Sequence, residues 1–418
     1  MAVDTPARIA IIGAGPIGLE AALYARFLGY DVDVLERGRV GENILRWGHV
    51  KLFTPFKMNR SPLGMAALTA QNPQQKWPDD NALLTGREYV EHYVLPLAQS
   101  DLLIDHVQEQ TEVLAIGRKR QTKQDHAGQQ KREDDDFCLL IRQGKRERLL
   151  QADVVIDASG VFAQPNWLGR GGLPAVGELR AAHGVEYGLP DILGTALADY
   201  AGKRVLVVGA GYSAATNLVQ LAAVARQHPA THITWITRQA TASPLPRIPD
   251  DRLPERDQLA TAANTLAAGS ESFVQHWPRT TVTGIKRNRE TGAFQIRLAG
   301  EHRGKMEVDR VVANVGYRPQ LELYRELQVH QCYASEGPMK LAAALMGQTS
   351  ADCLTQTACG PQTLLTSEPD FYILGAKSYG RNSQFLLSVG LAQIRELFTV
   401  IGDRADLDLY FTIGQAHL

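Results

Sequence analysis

Cysteine is scarce in this chain, four among 418 residues. Cys138, Cys332, Cys353 and Cys359 contain no Cys-x-x-Cys pair. That spacing argues against a disulfide scaffold and a structural zinc site, and no metal centre is expected. An excess of one charge is also lacking. Lys and Arg total 44, Asp and Glu 45, for a net charge of −1. A nucleic-acid binder carries a clustered basic excess, so none is expected here. Long hydrophobic runs are missing too: none reaches the roughly 18 residues of a membrane-spanning helix. The opening MAVDTPAR has no basic start followed by an apolar stretch. The expectation is a cytoplasmic protein that engages neither nucleic acid nor membrane.

What is present is a repeated pattern. The length suggests two to three domains at about 100–200 residues each. Arg8–Ile12 reads as a short buried strand. It is followed by Gly13, Gly15 and Gly18 in the spacing GxGxxG, with Pro16 and Ile17 inside the turn. Leu19, Leu23 and Phe27 then share one helix face, and Gly29 is placed to end that helix. Residues 31–35 read as the next strand, ending at Glu36 and Arg37. In such a strand–turn–helix the first glycine permits the tight turn. The second lets a pyrophosphate approach the backbone, and the third lets helix and strand pack closely. The helix start supplies N–H groups and a favourable dipole. An acid in the position of Glu36 suits a free ribose hydroxyl.

The second copy runs from Val205–Val208 through Gly209, Gly211, Tyr212, Ser213 and Ala214 into a helix. Its next strand, 232–236, ends in Ile236-Thr237-Arg238. No acid stands there. Arg238 offers a planar cation to a 2′-phosphate, so this copy suits NADPH. Two nucleotide-binding domains follow, in an α/β fold of Rossmann-like parallel sheets flanked by helices.

Other stretches punctuate the chain. Residues 118–136 are dense in charge of both signs between two strand-like runs and predict a solvated hairpin loop. Residues 164–177 are rich in Pro and Gly and predict a linker. Residues 240–256 are rich in proline and predict a loop. A helix is expected from about Gln384 past Leu397. Lys377, Ser378, Arg381, Asn382 and Ser383 crowd the turn before it, with Asn382 or Ser383 as its N-cap.

These motifs together resemble the two-dinucleotide-domain flavoproteins, and within them the flavin-containing, or class B, monooxygenases. DASG (157–160) and NVGYRP (314–319) are similar to that superfamily's crossings between domains. His183-Gly-Val-Glu-Tyr187 is similar to the His-x-x-x-Tyr/Trp end of the monooxygenase fingerprint, without its preceding Phe-x-Gly. Residues 47–59 are similar to the segment that runs along the flavin, with Trp47 and Asn59. The resemblance implies FAD at the first motif and NADPH at the second. It implies an NADPH domain (166–318) inserted into a discontinuous FAD domain (1–165 and 319–418).

The FAD contacts implied are Gly13, Gly15, Pro16, Ile17, Gly18, Glu36, Arg37, Trp47, Val113, Ala158, Ser159, Gly160, Gly375, Lys377 and Ser378. NADPH would meet Gly209, Gly211, Tyr212, Ser213, Ala214 and Arg238. Asn59, Arg381 and Asn382 are the catalytic candidates beside the flavin, and His49 and His183 are candidate proton donors. The implied reaction passes hydride from NADPH to FAD, then activates O₂ as a flavin C4a-peroxide that oxygenates a small molecule. Disulfide reductases share the double motif but use a redox dithiol, which this sequence lacks. An NADPH-dependent flavin reductase or oxidase and a non-catalytic nucleotide sensor are the alternative readings.

Overall fold

The structure, a computed structural model, describes residues 3–241, 243–348 and 352–416. The chain divides into two compact units. One comprises Met1–Leu45, Thr54–Gln164 and Arg318–Leu418, the other Arg46–Phe53 and Pro165–Tyr317. The sequence reading keeps residues 46–53 with the first motif. In the structure they belong to the second unit, where the Phe53 ring stands edge-on to Tyr212 at 5.6 Å.

The first unit contains β1 (Arg8–Ile12), β2 (Asp31–Leu35), β3 (Val107–Gln108), β4 (Thr111–Arg118), β5 (Phe137–Gln143), β6 (Arg146–Ala152) and β7 (Val154–Asp157). The second contains β8 (Arg204–Val208), β9 (His232–Ile236), β10 (Val274–Trp277), β11 (Thr280–Arg287), β12 (Phe294–Gly300), β13 (Gly304–Val308) and β14 (Arg310–Ala313). The chain then supplies β15 (Phe371–Ile373) to the first unit.

Both units follow one plan. The first has a parallel sheet in the order β3-β2-β1-β7-β15 and an antiparallel sheet β4-β5-β6. The second has a parallel sheet β10-β9-β8-β14 and an antiparallel sheet β11-β12-β13. The centre of each parallel sheet is a nearly continuous apolar run, because both of its faces are covered. Ile9, Ala10, Ile11, Val205, Leu206 and Val207 are all buried. The helix Pro16–Phe27 returns the chain from β1 to β2, and Tyr212–Gln227 does the same from β8 to β9. This is the expected α/β class, with Rossmann-type strand order in each unit.

Residues 118–136 form the expected, mostly exposed hairpin loop between β4 and β5, but three of its charged residues are buried. Arg118 and Arg132 are buried and both pair with Glu368, at 2.7 and 2.9 Å. Arg118 also donates to the Asp135 carbonyl and lies 3.7 Å over the Phe137 ring. A run of charges is usually solvated, but here a carboxylate some 250 positions away collects two of them. Residues 164–177 are not a free linker. Leu168 and Ala175 are buried, and their N–H groups donate to the buried Glu178 carboxylate at 2.8 and 2.7 Å. Tyr187 donates to the same carboxylate at 2.6 Å. The helix expected from about Gln384 spans Leu387–Ile401. Leu386 holds its N-cap position, so neither Asn382 nor Ser383 caps it.

Candidate functional site

In open α/β sheets ligands bind beyond the carboxyl ends of the strands, where neighbouring connections diverge. In the first unit β1 leads into the turn 13–18 and β7 into residues 158–160. Gly13 has φ of +102°, a left-handed backbone that favours glycine. A Cβ there would stand 3.0 Å from the Ala158 carbonyl oxygen and from Ser159 Cα. A Cβ at Gly18 would run into the Gly13 carbonyl oxygen. At Gly15 it would meet no protein atom within 4 Å. Two glycines therefore let the turn close, and the middle one keeps an approach open. Gly15 is also the N-cap of the helix Pro16–Phe27, which has no side-chain cap and no acid in its first turn. Its leading N–H groups and dipole suit an anion such as a pyrophosphate.

Glu36 closes the other end of this site. Its Oε2 accepts the Ala14 N–H at 2.9 Å and its Oε1 the Gly38 N–H at 2.8 Å. Each carboxylate oxygen keeps a second lone pair for a ribose hydroxyl. The backbone of Glu36 is bracketed by Gln108 and Thr111. Half-buried Val113 follows on β4, where the ladder is irregular between Val113 and Ala115. Arg37 is exposed.

The turn 375–379 is tied to this mouth. Lys377 Nζ pairs with Asp157 at 2.6 Å and donates to Ser159 Oγ at 3.1 Å, both charged groups being fully buried. Its ammonium thus joins β7 to the turn. Gly375 donates its N–H to Gln393 Oε1, and Gln393 donates to Ser378 Oγ, each at 3.0 Å. Gln393 is absent from the sequence candidates, because a glutamine on an apolar helix face carries no local motif. The three catalytic candidates are engaged locally. Asn59 exchanges hydrogen bonds with Thr54 and is buried. Arg381 pairs with Glu336 at 2.9 Å, which raises its already high pKa. Asn382 accepts the Gln384 N–H at 3.0 Å.

The second unit repeats the cradle with changes. Gly209 has φ of +131°, and a Cβ there would run into the Asn314 carbonyl oxygen. A Cβ at Gly211 would meet nothing within 4 Å. The helix Tyr212–Gln227 again lacks a side-chain cap and a first-turn acid. Ala214 fills the third position, its Cβ 3.6 Å from where a Gly209 Cβ would stand. Buried Asn217 donates to Asn314 Oδ1 at 2.8 Å, which fixes the end of β14 against the helix.

Sheet register identifies the counterpart of Glu36. Ile12 pairs with Leu35 in the first unit and Val208 with Ile236 in the second. Thr237 is therefore the equivalent of Glu36, and Arg238 the equivalent of Arg37. Thr237 is buried and bonded to His276 Nε2 at 2.9 Å. Burial lowers the His276 pKa, so its imidazole is neutral at neutral pH. Arg238 is exposed. Trp47 is half-buried and His183 exposed, both in this unit. His49 acts electrostatically on Asp191. A cavity of about 520 Å³ in the first unit is bordered by Glu133, Asp134, Asp135, Asp153 and Asp370. Its acidic wall would repel a dinucleotide, so the glycine turns are the better anion sites.

The pyridine nucleotide-disulphide oxidoreductase profile matches residues 10–340. No curated protein sequence matches the chain. Among solved structures, the chain is similar to the bacillithiol disulfide reductase of Bacillus cereus, at 16% identity and TM-score 0.65. That match covers 95% of this chain and 99% of the other. It is similar to the FAD-bound cadaverine monooxygenase of desferrioxamine biosynthesis from Erwinia amylovora, at 13% identity and TM-score 0.64, covering 96% and 95%. It is also similar to the ornithine N-hydroxylase of Kutzneria, at 16% identity and TM-score 0.60, covering 95% and 99%. Disulfide reductases and monooxygenases thus share this fold. With a profile that spans most of its length, the chain belongs to the pyridine nucleotide-disulphide oxidoreductase family.

Proposed function

We propose that this protein is an FAD- and NADPH-dependent oxidoreductase that oxygenates a small molecule. The observation that carries the two-cofactor reading is the pair of open positions at Gly15 and Gly211, each at an uncapped helix start. Glu36 at the first site would hold the free ribose hydroxyls of FAD, and Arg238 at the second the 2′-phosphate of NADPH. Bound FAD and NADPH would supply hydride transfer and the activation of O₂. The chain's own residues bind and orient. The glycine turns hold phosphates, and Lys377 with Asp157 and Gln393 with Ser378 fix the turn 375–379 against the FAD cradle.

Oxygenation is favoured over disulfide reduction by the residues at the site. Segments 13–18, 54–61, 157–160 and 375–383 contain no cysteine. None of the four cysteines is joined in a disulfide, and Cys359 is pushed up in pKa by burial, which disfavours a thiolate. The test is single turnover with NADPH under labelled O₂. Label in the product of an amine, thioether or ketone supports the proposal. Stoichiometric hydrogen peroxide with no labelled product from any of the three would support a reductase or oxidase instead.

A further inference from the structure

Glu20 lies on the helix that opens at the FAD cradle, and its side chain is buried without a cation. Ser61 Oγ donates to its Oε2 at 2.7 Å, and the Tyr93 hydroxyl donates to its Oε1. Both donors are themselves fixed. Ser61 Oγ accepts the Gly64 N–H at 2.7 Å, capping the helix Pro62–Gln71, and Tyr93 accepts the Ser61 N–H at 2.9 Å. A Cβ at Gly64 would stand 2.8 Å from Glu20 Oε1, so glycine makes room for the carboxyl group.

The side chains that bond to it are neutral hydroxyls. Ser61 comes from the start of one helix and Tyr89 and Tyr93 from the segment 86–94. Tyr24 lies on Glu20's own helix and Tyr410 on the helix Leu409–Ala416, and burial raises the pKa of all four phenols. The charged groups beyond Tyr410 are Arg395 and Asp408, which pair with each other at 3.4 Å. Desolvation raises Glu20 to about 7, and the two hydroxyl donors offset only part of that rise. The carboxyl group is thus poised to ionise near neutrality.

Glu20 is five residues beyond Gly15, about 7.5 Å of helix rise. Its carboxyl group is buried, so a charge there is little screened by solvent from an anion at the start of the same helix. We propose that Glu20 links FAD affinity to proton uptake: its carboxylic acid form favours the cofactor's pyrophosphate, and its ionised form weakens it. The inference rests on the assignment of FAD to the first glycine turn. Linkage makes it reciprocal, so bound FAD in turn holds the proton on Glu20. At an effective dielectric near 20, two unit charges about 12 Å apart change affinity roughly tenfold, and closer charges change it more. The sign follows: binding is tightest at acidic pH and weakens as pH rises through neutrality.

The experiment is FAD titration of the flavin-depleted full chain from about pH 6 to about pH 9, following flavin fluorescence. The expected result is a dissociation constant that rises roughly tenfold across that range in the wild type and stays flat in Glu20→Gln. Tyr93→Phe removes one donor to the carboxylate and should move the midpoint to higher pH. A second readout needs no variant. Calorimetric FAD binding near neutral pH, in two buffers of different ionisation enthalpy, should report net proton uptake. FAD binding without proton uptake, at a pH-independent affinity, would overturn this inference and leave the cofactor assignment standing. No FAD binding at any pH would overturn both.

Discussion

The two glycine turns have the same backbone plan, and two of their differences bear on what they can hold. In the first, Gly18 is required, because a Cβ would strike the Gly13 carbonyl. In the second, Ala214 is accommodated behind Gly209. At the end of the next strand the first has Glu36, whose carboxylate reaches back to the Ala14 N–H. The second has Thr237, whose hydroxyl turns to His276 instead. On the proposed reading, phosphate binding lies in the shared part, the open glycine and the uncapped helix. On the same reading, which nucleotide is held depends on the strand-end residue, a separate choice that the glycine pattern does not constrain.

Valine at the middle glycines breaks the comparison most sharply. Gly15 and Gly211 have extended backbones and open surroundings, so the fold should accept a side chain at either. Gly15→Val should lose FAD, by about a hundredfold or more in affinity (about 2.7 kcal/mol), while NADPH binding persists. Gly211→Val should show the reverse. Flavin content and coenzyme titration check both, and an unchanged melting temperature of the flavin-free chains separates ligand loss from misfolding.

The third position comes next. Gly18→Ala overpacks the first turn and should cost about 1–3 kcal/mol in a denaturant melt. Ala214→Gly in the second turn should cost no more than about 1 kcal/mol. Equal effects would mean that the two turns are built alike after all.

The strand-end residue sharpens the comparison further. Arg238→Ala should weaken NADPH use about tenfold, since a charge-assisted hydrogen bond contributes about 1.5–3 kcal/mol. NADH use should change little. Thr237→Glu would place an acid where the first unit has Glu36 and should shift preference toward NADH. Steady-state rates with both coenzymes read out both variants, and equal losses for NADPH and NADH in Arg238→Ala would remove its role. The smallest effect is expected at the thiols. Cys353→Ser with Cys359→Ser should leave NADPH-driven flavin reduction near its original rate.

The glycine turns and the sheet pattern were legible in the sequence because their causes are local. A φ of +102° at Gly13 and an apolar strand before it concern a few adjacent residues. Much of the rest depends on partners far along the chain. Arg118 and Glu368 meet across 250 positions, so the sequence shows the exposed hairpin loop but not the arginines buried within it. Lys377 reaches Asp157 across 220 positions, and Ser61 reaches Glu20 across 41. Glu20 itself looks like an ordinary helical glutamate until Ser61, Tyr93 and Tyr410 close over it. The resemblance led to the expectation that Asn59, Arg381 and Asn382 lie near a cofactor. Their present partners, Thr54, Glu336 and Gln384, emerge only from the folded chain.

The central claim is that one turn holds FAD and the other holds the NADPH that reduces it. Anaerobic mixing of the purified yellow protein with NADPH or NADH in a stopped-flow spectrometer tests it directly. The account predicts that NADPH bleaches the bound flavin and that NADH does so at least about tenfold more slowly at equal concentration. A protein that purifies without flavin, or whose flavin neither coenzyme bleaches, would contradict it.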